Sequence, residues 1–262
     1  MSWRITDNNI VNRVHALITV ILFSGLISCD TETAPDCFQV EGDIIEKEID
    51  LPPFSKITVN EKIQLFVSYG ENQLVTLETG ENLLNEIELR VEGDRLIMTN
   101  SNGCNIFRDY AVTKVYVTLP EFTEIRHFSE FTVTSTNTIK SNNLRLLTED
   151  NQEEEEQHTN GDFDLTLEVE TLRITSNGNG NYILDGTVAQ ASFGIFSGDT
   201  RIEAGNLLID DLELFHRGSN KMIVNPLLSI KGELYSTGDV IAKNEPAIVE
   251  VEEFYTGRLI FE

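Results

Sequence analysis

Asn160-Gly161-Asp162-Phe163-Asp164-Leu165 opens a pattern that the rest of the chain repeats. A Gly followed by a polar or charged residue returns as Gly161-Asp162, Gly180-Asn181, Gly198-Asp199, Gly218-Ser219, Gly238-Asp239 and Gly257-Arg258. The Gly-to-Gly spacings are 19, 18, 20, 20 and 19 residues. A small or polar residue usually stands before the Gly: Asn160, Asn179, Ser197, Thr237, Thr256. A period near twenty, held over five steps, marks a stacked repeat architecture.

Inside each repeat the side chains alternate. Two residues after the Gly come Phe163, Tyr182, Thr200, Asn220, Val240 and Leu259, and four after come Leu165, Leu184, Ile202, Met222, Ala242 and Phe261. The second set is wholly apolar and the first mostly so, which gives one inward face of period two. A second set of turn residues follows: Asp185-Gly186, Gly205-Asn206, Asn225-Pro226 and Asn244-Glu245-Pro246. Each repeat therefore reads as two short strands and two turns. The predicted fold is all-β, a β-solenoid or β-helix-like stack of coils about 20 residues long, with successive coils about 4.8 Å apart.

Upstream, residues 45–123 read as a separate β-rich part, and the repeats occupy 124–262. Leu51-Pro52-Pro53-Phe54 is a rigid entry into strand, and Asn82 to Asn85 begins as a short helical turn. Residues 110–119 alternate so regularly, with both sets apolar or β-branched, that a strand covered on both faces is expected there. The first repeat is degenerate, His127-Phe128-Ser129-Glu130, and an acidic insert at 151–157 contains four consecutive Glu, Glu153 to Glu156. A charge run is usually a solvated loop; a calcium-collecting loop is the sharper reading.

The N-terminus is read as an address. Arg4 and Arg13 precede an apolar run from Ala16 to Ile27, too short to span a bilayer and suited to a signal peptide. The run ends Leu26-Ile27-Ser28-Cys29, the form of a bacterial lipobox, so residues 1–28 are expected to be removed and Cys29 acylated. A plain signal peptide with a chance Cys is the alternative. Residues 29–44 then form an acidic tether. Cys37 and Cys104 remain, as a disulfide across an oxidising envelope or as two free thiols. Two or three acyl chains hold a protein stably on a membrane.

Charge narrows the partners. The chain has 19 Lys and Arg against 44 Asp and Glu, a net charge of -25. Loss of residues 1–28 removes Arg4, Arg13 and Asp7, leaving 17 basic and 43 acidic residues, a charge of −26. Such a field repels nucleic acid, so no nucleic-acid partner is expected.

Catalytic chemistry has no foothold in this pattern. Gly178-Asn179-Gly180 lacks the third Gly and the helix of a nucleotide loop. No Gly-x-Ser-x-Gly elbow is present, and no His-Glu-x-x-His or paired Cys motif gathers a metal. His127, His158 and His216 read as exposed residues near turns. Aligned by their Gly, the turn residues Asp162, Asn181, Asp199, Ser219, Asp239 and Arg258 form a column in which no two acids are adjacent. That suits stacking and gathers no calcium. No catalytic residue, metal or cofactor is assigned; Gly161, Gly180, Gly198, Gly218, Gly238 and Gly257 are given a structural role.

The Gly turns, Leu119-Pro120-Glu121 before them, and the copies Asn160-Gly161-Asp162-Phe163, Ser197-Gly198-Asp199 and Thr237-Gly238-Asp239-Val240 resemble the putative auto-transporter adhesin, head GIN domain family of Bacteroidetes-type envelope lipoproteins. Leu51-Pro52-Pro53-Phe54 and Glu81-Asn82-Leu83-Leu84 resemble its N-terminal half. The resemblance implies an all-β, solenoid-like fold and a cell-envelope location, and transfers no site residue. Three functions are open: adhesion to a protein or glycan, a structural envelope role, and a carbohydrate-active β-helix enzyme. The acids are spread along turns, which argues against the enzyme. Without Trp after residue 28, Tyr182, Tyr235 and Tyr255 are the candidate sugar platforms. The binding surface is expected on the strand faces or the acidic insert. The address favours the outer membrane, with surface or periplasmic face left open.

Overall fold

The computed structural model describes residues 41–102, 112–149 and 161–262. The chain begins with β1 (Ile44–Glu48), β2 (Lys56–Val59), β3 (Ile63–Tyr69) and β4 (Leu74–Gly80). A 3-10 turn, Glu81–Glu86, leads to β5 (Ile87–Glu92), β6 (Arg95–Asn100) and β7 (Thr113–Leu119). Next come β8 (Glu124–His127), β9 (Val133–Ser135) and β10 (Ile139–Thr148). Four long strands follow: β11 (Phe163–Ser176), β12 (Asn181–Ile195), β13 (Arg201–His216) and β14 (Met222–Leu234). The last are β15 (Val240–Ala242), β16 (Ile248–Glu253) and β17 (Leu259–Phe261). The architecture is all-β: one mixed sheet curled into a half-barrel.

Parallel pairing follows the twenty-residue period. Phe163 lies opposite Tyr182, Tyr182 opposite Ile202, Ile202 opposite Met222, Met222 opposite Val240, and Val240 opposite Leu259. A second ladder runs along the other half of the long strands: Ile57, Ile125, Leu146, Ile174, Phe193 and Leu214. All of these except the last-strand Leu259 are buried in one apolar core. Among the described residues, antiparallel pairs occur only near the N-terminal end, β1 with β4, β4 with β7 and β5 with β6. Strands on both sides of residue 124 share the one sheet, since β2 pairs with β8 and β3 with β9.

The strands differ from the expected pairs of short ones. Each of β11 to β14 is a single strand of 13 to 16 residues. In β11 the buried phase passes from Val169 to Leu172, so the strand bends at Glu170 and Thr171 and turns both of its halves toward the core. Asp185-Gly186, Gly205-Asn206 and Asn225-Pro226 lie inside strands; of the expected second turns only 244–246 falls between strands. Register shifts between Ile183 and Asp185, and between Glu203 and Leu208, absorb the extra residues as bulges. Ahead of those bulges, Ile202, not Thr200, continues the Phe163–Tyr182 ladder, and Met222, not Asn220, follows it. Strand β7 is buried on one face only; Lys114, Tyr116 and Thr118 on the other are half-buried.

Candidate functional site

All six Gly turns fall between strands. Each Asp of the turns is used by the next repeat. Asp162 Oδ1 accepts from Asn181 N–H (2.7 Å), Asp199 Oδ1 from Ser219 Oγ (2.7 Å), and Asp239 Oδ1 from Arg258 N–H (2.9 Å). Backbone bonds carry the column through the remaining steps: Asp199 N–H donates to the Gly178 carbonyl (3.1 Å) and Gly238 N–H to the Gly218 carbonyl (3.3 Å). Among the described residues no group of three or more His, Cys, Asp or Glu is placed to hold a metal ion.

Two of the three histidines expected to be exposed, His127 and His216, are not. His127 is fully buried and His216 almost so. They lie on one inward column with Thr148, Ser176 and Ile195, continuing the phase of Ile125 and Leu214. Beside them is a hydroxyl network. Thr148 Oγ1 donates to Ser176 Oγ (2.8 Å), the Ser176 and Thr200 hydroxyls share a 2.6 Å bond, and the Tyr182 hydroxyl meets Thr148 at 2.8 Å. Tyr182 is thus core, not a sugar platform; burial pushes its phenol up and keeps it protonated.

Burial lowers the His127 imidazole to about 4, because little solvates its cation there. The unfolded chain binds this proton near pH 6.5 and the folded chain does not. The stabilising preference for neutral His127 is complete above about pH 6.5 and is lost as pH falls toward 4, about 3 kcal/mol in all. Urea unfolding at pH 7.5 and pH 4 should show this loss, and His127→Phe should remove most of that component. Equal pH slopes in the two proteins would contradict the assignment.

Two surfaces stand out. The first is an aromatic ladder: Phe196, Phe215, Tyr235 and Phe254, with ring centroids 5.1, 5.3 and 4.5 Å apart in turn. The outer pairs are stacked, at 28° and 5° between planes. Sugar rings bind aromatic faces, and Tyr235 spends both faces on its neighbours. The ladder is therefore a poor glycan platform, although Tyr255 beside it is 61% exposed. Such stacking contributes on the order of 1 kcal/mol per pair to the repeats themselves.

The second is a groove of about 650 Å³ along the bend of the long strands. Its floor is apolar, formed by Val169, Val188, Ala189, Leu208 and Leu227, the leucines being exposed. Its polar wall carries Lys140, Ser141, Asn142 and Thr187, with Glu121, Glu168, Glu170 and Asp210. Lys140 Nζ pairs with Glu168 at 2.8 Å, which raises the Lys140 pKa, and Asn142 Nδ2 donates to Glu121 at 3.2 Å. The Ser141 hydroxyl at the groove donates to the Phe122 carbonyl (2.8 Å) rather than to a base.

From the sequence, the binding surface is expected on the strand faces or the acidic insert; the groove lies on the strands at their bend, and the insert is outside the described residues. The groove's residues were not singled out, because only the observed register brings 121, 142, 170 and 210 together. Cys29, Cys37, Cys104, His158 and Glu153 to Glu156 lie outside the described residues. No described helix is long and apolar enough to cross a membrane.

The comparisons agree with this architecture. Residues 53–246 match the family described as putative auto-transporter adhesin, head GIN domain, and the chain belongs to that family. A crystal structure of a putative adhesin from Bacteroides fragilis is similar over 84% of this chain and 97% of its own, with TM-score 0.73 at 20% identity. A putative lipid binding protein from Parabacteroides distasonis matches over the same shares, with TM-score 0.61 at 16% identity. A putative adhesin from Parabacteroides merdae does likewise, with TM-score 0.59 at 14% identity. At these identities the likeness establishes the fold alone. No curated protein matches the chain significantly.

Proposed function

We propose that this chain is a lipid-anchored, non-catalytic binding protein of the cell envelope, with adhesion as its task. The observation that carries the reading is the bend groove. It is built from equivalent positions of successive repeats, has an apolar floor, and lacks a catalytic constellation. An extended repeat surface of this kind engages long ligands by many small contacts. We read the twenty-residue parallel ladders as solenoid-like coils that keep the groove straight. Family membership supports the adhesive role.

The experiment is a solid-phase screen of the purified full-length chain against glycans, envelope proteins and matrix proteins. Saturable capture of one ligand class is expected; capture of none would leave the structural-envelope role in its place. Anchoring is assigned to Cys29, on the outer membrane. Cys29→Ala should abolish fatty-acid labelling in cells, and persistent label would refute the anchor.

A further inference from the structure

Register places four residues side by side at the bend. Ser141, Val169, Val188 and Ile209 are successive partners, as are Asn143, Thr171, Gln190 and Asp211. Between those two rows lie Asn142, Glu170, Ala189 and Asp210. Glu121, bonded to Asn142, precedes them. The row therefore reads acid, amide, acid, methyl, acid. With neighbouring strands about 4.8 Å apart, the backbone positions of Glu170 and Asp210, on alternate strands, are about 9.6 Å apart. Glu168 is neutralised by Lys140, whereas Glu170 and Asp210 have no ion-pair partner among the described residues. The leucines Leu208 and Leu227 lie beside this row.

We infer that the groove takes an extended, cationic polypeptide segment lying along the stack, with a basic side chain at every third residue facing Glu170 and Asp210. The inference rests on the binding reading above and specifies its ligand. Charge complementarity selects a cation, and the spacing selects its form. A polyproline II segment rises about 3.1 Å per residue, so every third side chain returns to one face after about 9.3 Å. A β-strand returns after about 6.7 Å and misses the carboxylates. One metal ion cannot bridge oxygens so far apart. Between the bases, the apolar ring atoms of proline suit the leucine floor.

The test measures fluorescence anisotropy of a labelled peptide of five Pro-Pro-Lys repeats with the full-length chain. Saturable binding, weakened by salt, is expected. Glu170→Gln with Asp210→Asn should raise the Kd about tenfold or more, while Glu252→Gln with Glu262→Gln, on the remote terminal strands, should leave it within about twofold. Equal losses in the two variants would show mere attraction to an acidic protein and overturn the inference. So would equal binding of Pro-Pro-Glu repeats, or no binding of Pro-Pro-Lys. If the basic peptide fails while the screen still finds a saturable ligand, only the ligand chemistry assigned here falls. If both fail, the binding reading falls with it.

Discussion

Gly238→Ala should destabilise the fold by about 3 kcal/mol or more. A Cβ at this position would stand 2.1 Å from the Asn220 carbonyl oxygen and 2.4 Å from His216 Nε2. Those two atoms are themselves joined by a 2.9 Å hydrogen bond. The methyl group would thus drive into a bond between a buried imidazole and the turn of the preceding repeat. Backbone carbonyls held in a parallel ladder cannot swing aside as a surface side chain does. The melting temperature should drop by roughly 10 °C. Gly205→Ala is the control, since its nearest atom is Ile223 Cγ2 at 3.3 Å, the end of a side chain. That variant should stay within about 1 kcal/mol of the parent. Thermal unfolding followed by circular dichroism compares them, and coincident melts would refute the packing role of the Gly turns.

Glu124→Ala should be of similar severity. The Glu124 carboxylate is only 3% exposed and lies among arginines from three strands. Arg95 Nη2 approaches one oxygen at 2.5 Å, Arg145 Nη1 the other at 2.9 Å, and Arg126 Nε lies 4.0 Å away. Removing the acid leaves these guanidiniums facing one another, with Glu149 reaching only Arg126, at 3.7 Å. Breaking a fully buried pair from one side costs about 3 to 5 kcal/mol; here Arg145 can turn to solvent while Arg126 cannot, so the loss lies near the lower end, about 3 kcal/mol. Glu250→Ala removes a pairing of similar length, Lys231 to Glu250 at 2.9 Å, but an exposed one. It should cost less than about 1 kcal/mol. Urea unfolding of the two variants separates the cases; equal small losses would mean that the Glu124 cluster contributes nothing beyond a surface pair.

Much of this architecture is legible in the sequence, for a physical reason. The Gly turns of adjacent repeats approach so closely that a side chain has no room. A Cβ on Gly180 would meet the Gly161 oxygen at 2.2 Å, so the period is written in residues that composition alone makes visible. The bend of the long strands is not written that way. Glu170 and Thr171 carry no Gly or Pro, and the chain turns there by shifting its buried phase. Conversely, Gly186 and Pro226 look like turn residues and lie in strands, paired with Leu207 and Ile209, while the bulges fall at neighbouring residues. His127 and His216 stand close to turns, which suggests exposure, yet both are buried. Their period-two phase with Ile125 and Leu214 already pointed inward. The groove was illegible for a deeper reason: the spacings between Glu121, Asn142, Glu170 and Asp210 vary with the insert and the bulges, and only pairing register aligns them.

The most direct measurement compares the full-length chain with a groove variant, Leu208→Lys with Leu227→Lys, which breaks the apolar lining and opposes a cationic ligand, in the solid-phase screen. Both leucines are exposed on the floor, so the substitutions should leave the melting temperature within a few degrees of the parent. If the groove is the binding surface, capture of the ligand found with the parent falls to background while the variant remains folded. Undiminished capture by a folded variant would contradict the account.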